Sequence, residues 1–169
     1  MTRFALRLPQ RQARLVALAV AYHLARPGAE LDPETMRDYA HGLADLPPAL
    51  DPQLNADEAA IELSPLQVTL LATALSSVVS ELKMYSVFDT MAGDSARPRS
   101  TAPGFDERLR DLFPEVAGDP AAASDLAGEM AMLRRELPLA GARQALEGER
   151  VAAAEAQRSR KRPWQIWKR

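Results

Sequence analysis

The 169 residues of this chain suit one domain, or one domain with appendages, and a chain of that size buries roughly two thirds of its unfolded surface. Cysteine is absent, which excludes disulfides, thiolate nucleophiles and cysteine-bound zinc, and accords with a reducing cytoplasm without requiring one. The formal charge of −2 conceals a division: residues 158–169 carry six basic side chains and no acid, and the remainder carries a net −8.

No secretory signal is visible. The apolar run Leu15–Leu24 is bracketed by Arg14 and Arg26 and is far shorter than the ~20 residues a bilayer needs, so a buried helix is expected there and a membrane role is not. Residues 1–8 read as a short strand, with Phe4, Leu6 and Leu8 on one face and Arg3 and Arg7 on the other. Pro9 ends it, and residues 10–26 read as a central helix with Leu15, Leu18, Ala19 and Tyr22 on one face and Val16, Val20 and Leu24 widening it.

A second helix is expected over 33–45. Asp32 would cap it, Pro33 suits its first position, Met36, Tyr39, Ala40 and Leu43 form its stripe, and Pro47-Pro48 closes it. Residues 47–58 read as a polar connection with one helical turn after Asp51-Pro52. Ala60, Ile61 and Leu63 look like a second short strand.

Ser64-Pro65-Leu66-Gln67 is the strongest local signal, a capping box with proline at the first helical position. The spacing predicts a helix from there to about Met91, burying Leu71, Ala74, Leu75, Val78, Leu82 and Tyr85, with Gly93 as its left-handed terminus. The two strand–turn–helix segments match at an offset of 55: Leu6 with Ile61, Leu8 with Leu63, Gln12 with Gln67, Leu15 with Leu70, Val16 with Leu71, Ala17 with Ala72, Ala19 with Ala74. A structural repeat and a chance likeness between two strands leading into Ala/Leu helices both fit. A repeat would let the strands pair under helical cover, in a direction the sequence does not decide, and its open edge would offer a dimerisation surface.

Residues 94–104 have linker composition. Phe105–Phe113 reads as a short helix burying Phe105, Leu109, Leu112 and Phe113. Asp119-Pro120 opens another, with Leu126, Met130, Leu133 and Leu137 on its stripe. A last, alanine-rich helix runs from Leu139 to about Ser159, with Leu146 and Val151 as its anchors, packing weakly or projecting.

No constellation carries recognisable chemistry. His23 and His41 lack companions at metal-ligand spacing. The carboxylate pairs Asp57-Glu58, Asp106-Glu107 and Glu147/Glu149 read as solvated surface. Ser76, Ser77 and Ser80 sit in a strong helix, where hydroxyls bond back to carbonyls. The single glycines 42, 93, 141 and 148 make no phosphate loop. No catalytic, cofactor-binding or metal-ligating residue is assigned, and the sequence does not decide whether the chain is an enzyme.

The concentrated feature is the tail, with Arg158, Arg160, Lys161, Arg162, Trp164, Trp167, Lys168 and Arg169 as candidate interaction residues. Its cations suit phosphates and its indoles suit unpaired bases, yet the same tail could fold back on the acidic body, pair across a dimer or dock on another protein. The expected fold is mainly α, a helical-bundle-like domain with a small two-stranded sheet where the strand–helix repeat holds. It divides into a core over 1–93, a linker over 94–104, a C-terminal helical region over 105–157 and the basic tail over 158–169. The expected function is that of a cytoplasmic, non-enzymatic protein-interaction protein, regulatory or structural and homodimeric. The alternative is an accessory nucleic-acid-binding protein that uses the tail.

Overall fold

The computed structural model describes residues 2–26, 42–92, 100, 102–116 and 119–160. Helix accounts for 76% of the structure beside one two-stranded antiparallel sheet, so the mainly α expectation holds and the strands do pair. The elements are β1 (Phe4–Pro9), α1 (Gln10–Ala25), α2 (Leu46–Leu50), β2 (Glu58–Leu63), α3 (Pro65–Ala92), α4 (Phe105–Leu112), α5 (Pro120–Glu136) and α6 (Leu139–Arg160).

Strict alternation sets the faces of the sheet. In β1, Phe4, Leu6 and Leu8 turn inward and Ala5, Arg7 and Pro9 meet solvent; in β2, Ala59, Ile61 and Leu63 are buried and Glu58, Ala60 and Glu62 are exposed. The ladder pairs Leu6 with Ile61, Leu8 with Ala59 and Phe4 with Leu63. Under the offset of 55, Leu6 thus faces its own counterpart, and the other pairs exchange places. A local two-fold axis passes through the Leu6–Ile61 pair, and the helices start at matching positions, Gln10 and Pro65.

α3 is the axle. It packs against α1, α5 and α6, and Val68, Leu71, Ala74, Leu75, Val78 and Leu82 are fully enclosed. Pro65–Met84 is also apolar and long enough to cross a membrane, and 56% of that stretch is buried inside the fold. Its start is the expected capping box: Ser64 Oγ accepts from the Gln67 N–H at 3.2 Å and Gln67 Oε1 accepts from the Ser64 N–H at 2.8 Å. Gln67 Nε2 also donates to the Gly42 carbonyl at 2.6 Å. A Cβ at Gly42 would lie 2.9 Å from a Leu70 methyl, which would have to shift to admit it.

α5 begins as expected, with Asp119 Oδ1 accepting from the Ala121 and Ala122 N–H groups at 2.9 and 3.3 Å. Leu126, Met130, Leu133 and Leu137 are buried, as are Phe105, Leu109, Leu112 and Phe113 around α4. The Tyr22 and Phe105 rings meet in a T-shaped contact, centroids 5.0 Å apart, which joins α1 to α4.

Two expectations are corrected. Pro47-Pro48 does not close a helix but lies in the first turn of α2, where proline has no hydrogen bond to lose; a 3-10 turn over Asp51–Gln53 follows, as expected. Val151 is no anchor. It is 51% exposed, and Ala142 with the half-buried Leu139 seats α6. Gly104, the last residue of the 94–104 segment, caps α4 from a left-handed conformation, φ 74°.

Most of the expected 33–45 helix lies outside the described residues, with Asp32, Pro33, Met36, Tyr39, Ala40 and His41. Its last residues, 42–44, are helical and Leu43 is buried. Gly93, most of the 94–104 linker and the Tyr85 side chain also lie outside them.

Candidate interaction surfaces

α6 departs from the body partway along its length. Ala142 is buried and Ala145 and Leu146 are half-buried, whereas every residue from Glu147 to Arg158 is exposed. That is about 18 Å of uncovered helix. Ala152, Ala153, Ala154 and Ala156 hold it helical without tertiary packing. Glu147 lies 3.9 Å from Arg150, one turn on.

Among the sequence-predicted site residues, Arg158 is exposed near the end of this arm and Arg160 is its last helical residue. Lys161, Arg162, Trp164, Trp167, Lys168 and Arg169 lie outside the described residues. The helix therefore continues through the expected body–tail junction at 157/158.

The seam that seats α6 continues along the arm. Ala142, Leu146, Glu149, Ala153 and Ala156 recur at alternating steps of four and three, which keeps them on one side of the helix. The first two meet the body and the last three meet solvent.

The small sheet presents a second surface. Gln53 lies along the outer flank of β2, its Oε1 accepting from the Ala60 N–H at 2.9 Å and its Nε2 donating to the Ala60 carbonyl at 3.3 Å and to that of Ala49 at 2.7 Å. One side chain thereby performs the hydrogen bonding of a neighbouring strand, and α2 packs beside it.

Charged side chains elsewhere are used for cohesion. Arg11 at the start of α1 forks onto Glu129 at 2.6 and 2.9 Å, reaches Glu115 at 3.0 Å and lies 5.5 Å from the centre of the Phe113 ring. The bonds to Glu129 hold the guanidinium above its ordinary pKa against the opposing effect of burial. The Glu115 carboxyl is lowered, first by its own backbone N–H and then by Arg11. Glu81 accepts from the Tyr22 hydroxyl at 2.9 Å.

Histidine 23 is half-buried in α1, and among the described residues its Nδ1 has no hydrogen-bond partner. Burial lowers its pKa and Arg26 lowers it further. Ser76, Ser77 and Ser80 donate to the carbonyls of Ala72, Thr73 and Ser76 at 2.9, 3.1 and 3.2 Å, so these hydroxyls are spent on the helix. A cleft of about 210 Å³ lies between α1, α2 and α4, lined by Ala17, Val20, Ala21, Pro47 and Leu50 and flanked by the Asp51–Arg108 ion pair at 2.8 Å. Among the described residues no three histidine or carboxylate side chains cluster to hold a metal.

Sequence reasoning located the arm and the paired strands. It missed Gln53, whose role depends on a chain reversal between 53 and 60, and Arg11, whose acceptor is 118 residues away. Comparison with protein-family models, curated proteins and solved structures finds no match for this chain.

Proposed function

We propose that this chain is a cytoplasmic, non-enzymatic protein-interaction protein, structural or regulatory in role, that forms a homodimer through α6. The observation that carries this reading is the uncovered continuation of a packing seam: Glu149, Ala153 and Ala156 prolong the line of Ala142 and Leu146 beyond the body and remain exposed. The alanines at 153 and 156 allow two helices to approach closely. In antiparallel pairing about Ala153, Glu149 of one copy comes opposite Gln157 of the other and Arg150 opposite Ala156, so no like charges meet and a second copy fits as the occupant.

Light scattering on the full chain tests it. The expected mass is twice the 18.5 kDa of one chain, returning to one chain in an Ala153→Glu/Ala156→Glu variant with unchanged helicity. A monomer at all concentrations sinks the homodimer.

A second reading has its own support. Exposed Arg158 stands at the head of the cationic run, on an arm that leaves the acidic body, which suits accessory binding to nucleic acid. The full chain would then bind an oligonucleotide with steep salt dependence, and a chain ending at Gln157 would not. Equal binding by both forms removes the tail from that role.

A further inference from the structure

The two flanks of the sheet are finished differently. Gln53 takes the Ala60 N–H and carbonyl, so these groups point away from β1. Directly opposed residues of an antiparallel ladder either both face each other or both face away. Arg7, across from Ala60, and Ala5, across from Glu62, therefore turn their N–H and carbonyl groups to the outer flank of β1. Among the described residues nothing bonds to them, and both residues are exposed.

The inward side chains repeat the asymmetry. On β2, Ala59 and Ile61 are 0% and 4% exposed, beside the buried Leu46, Leu50 and Leu54. Their counterparts on β1, Phe4 and Leu6, are only half-buried. One flank is covered by the chain itself and the other retains unpaired backbone above a partly exposed apolar strip.

We infer that the outer flank of β1 binds an extended segment of a partner protein as a third strand, with alternating acidic and apolar side chains. Residues paired with Arg3, Ala5 and Arg7 would share their solvent face, and the two between would lie inward beside Phe4 and Leu6. The motif that fits is acidic, apolar, any, apolar, acidic, centred on Ala5. About four backbone hydrogen bonds would supply affinity, and the arginines would supply selection. Arg3 and Arg7 are exposed, and among the described residues Arg7 makes one ion pair, with Glu58 at 3.6 Å.

Charge argues against the other occupants. A second β1 in the same central register would set Arg3 against Arg7, which like charges disfavour. The β2 flank of a second copy is closed by Gln53. The chain's own tail is cationic.

The inference goes beyond the α6 dimer, and its test is separate. Labelled peptides with Glu-Val-Thr-Val-Glu or Lys-Val-Thr-Val-Lys at their centre are titrated with the full chain, read by fluorescence anisotropy. The acidic peptide is expected to bind at least about tenfold more tightly than the lysine one. Ala5→Pro removes an outward N–H, which an edge strand tolerates, and should abolish that binding. Arg3→Glu/Arg7→Glu should reverse the preference and carries the test where Ala5→Pro does not fold.

No binding of either peptide, equal binding of both, or undiminished binding by folded Ala5→Pro overturns the inference. Self-association lost in Ala5→Pro would assign the flank to a second copy and overturn it too. None of these results changes the outcome of Ala153→Glu/Ala156→Glu on α6.

Discussion

Leu6 stands directly across the sheet from Ile61, the residue that occupies the same place in the second strand–turn–helix segment. Each half of the ladder therefore repeats the other, and differences between the halves show what the connecting chain adds. It adds cover on one flank only, where Gln53 satisfies Ala60.

Replacing that glutamine separates its two effects. Gln53→Ala leaves the Ala60 N–H and carbonyl without a protein partner at an exposed edge, so the expected loss is about 1 kcal/mol in urea denaturation. The newly opened β2 flank carries Glu58 and Glu62, and a second copy's β1 flank carries arginines. Gln53→Ala should therefore associate head to tail as concentration rises, visible by light scattering and suppressed by salt. A variant that loses stability yet stays at the parent mass would show that Gln53 braces the turn without guarding the edge.

Arg11 joins the start of α1 to α5 and to the turn before it through Glu129 and Glu115. Its side chain is 52% exposed, so solvent screening limits the gain even for a forked pair. Arg11→Met should cost about 1 kcal/mol by thermal denaturation. The lowered Glu115 carboxyl contributes stability above its unfolded pKa, and this is lost as pH falls through the folded value. Its own backbone N–H is the larger cause, so Glu115 should still titrate low in Arg11→Met, followed by carboxyl NMR.

The sequence marked helix starts well because those signals are local: Ser64 with Gln67 and Asp119 with Pro120 each complete their hydrogen bonds within one turn. Strand direction and register were not legible, because they depend on how α1 and α3 lie together over one face of the sheet. Val151 was misread because periodicity assigns a residue to a helix face without saying whether a body is left to cover it. Of the candidate tail, only Arg158 and Arg160 can be placed. The charge division that singled it out is compositional and has no local geometry to follow.

His23 gives the fold a pH dependence of definite sign. Burial depresses its pKa in the folded chain, with Arg26 adding to the effect, so the unfolded chain binds the proton more readily. Stability from keeping the ring neutral is full above the ordinary value of 6.5 and declines as pH falls from there toward the folded pKa. Urea midpoints should drop as pH falls below 6.5, and His23→Gln should flatten that drop relative to the parent. An unchanged slope would assign the acid sensitivity to other groups.

The same logic of cover predicts opposite outcomes for two apolar residues. Leu71 has no exposed surface and lies where α3 meets the rest of the core, in the position that Val16 holds in α1. Leu71→Ala removes contacts on every side and leaves a cavity, at an expected cost of about 3 kcal/mol in urea denaturation. Val151 projects from the uncovered part of α6, and Val151→Ala exchanges a β-branched residue for a better helix former with nothing packed against it. Its denaturation midpoint should stay within about 0.5 kcal/mol of the parent or rise slightly. A large loss at Val151 in the full chain, absent from the Ala153→Glu/Ala156→Glu background, would mean that the proposed dimer covers more of the arm than one seam.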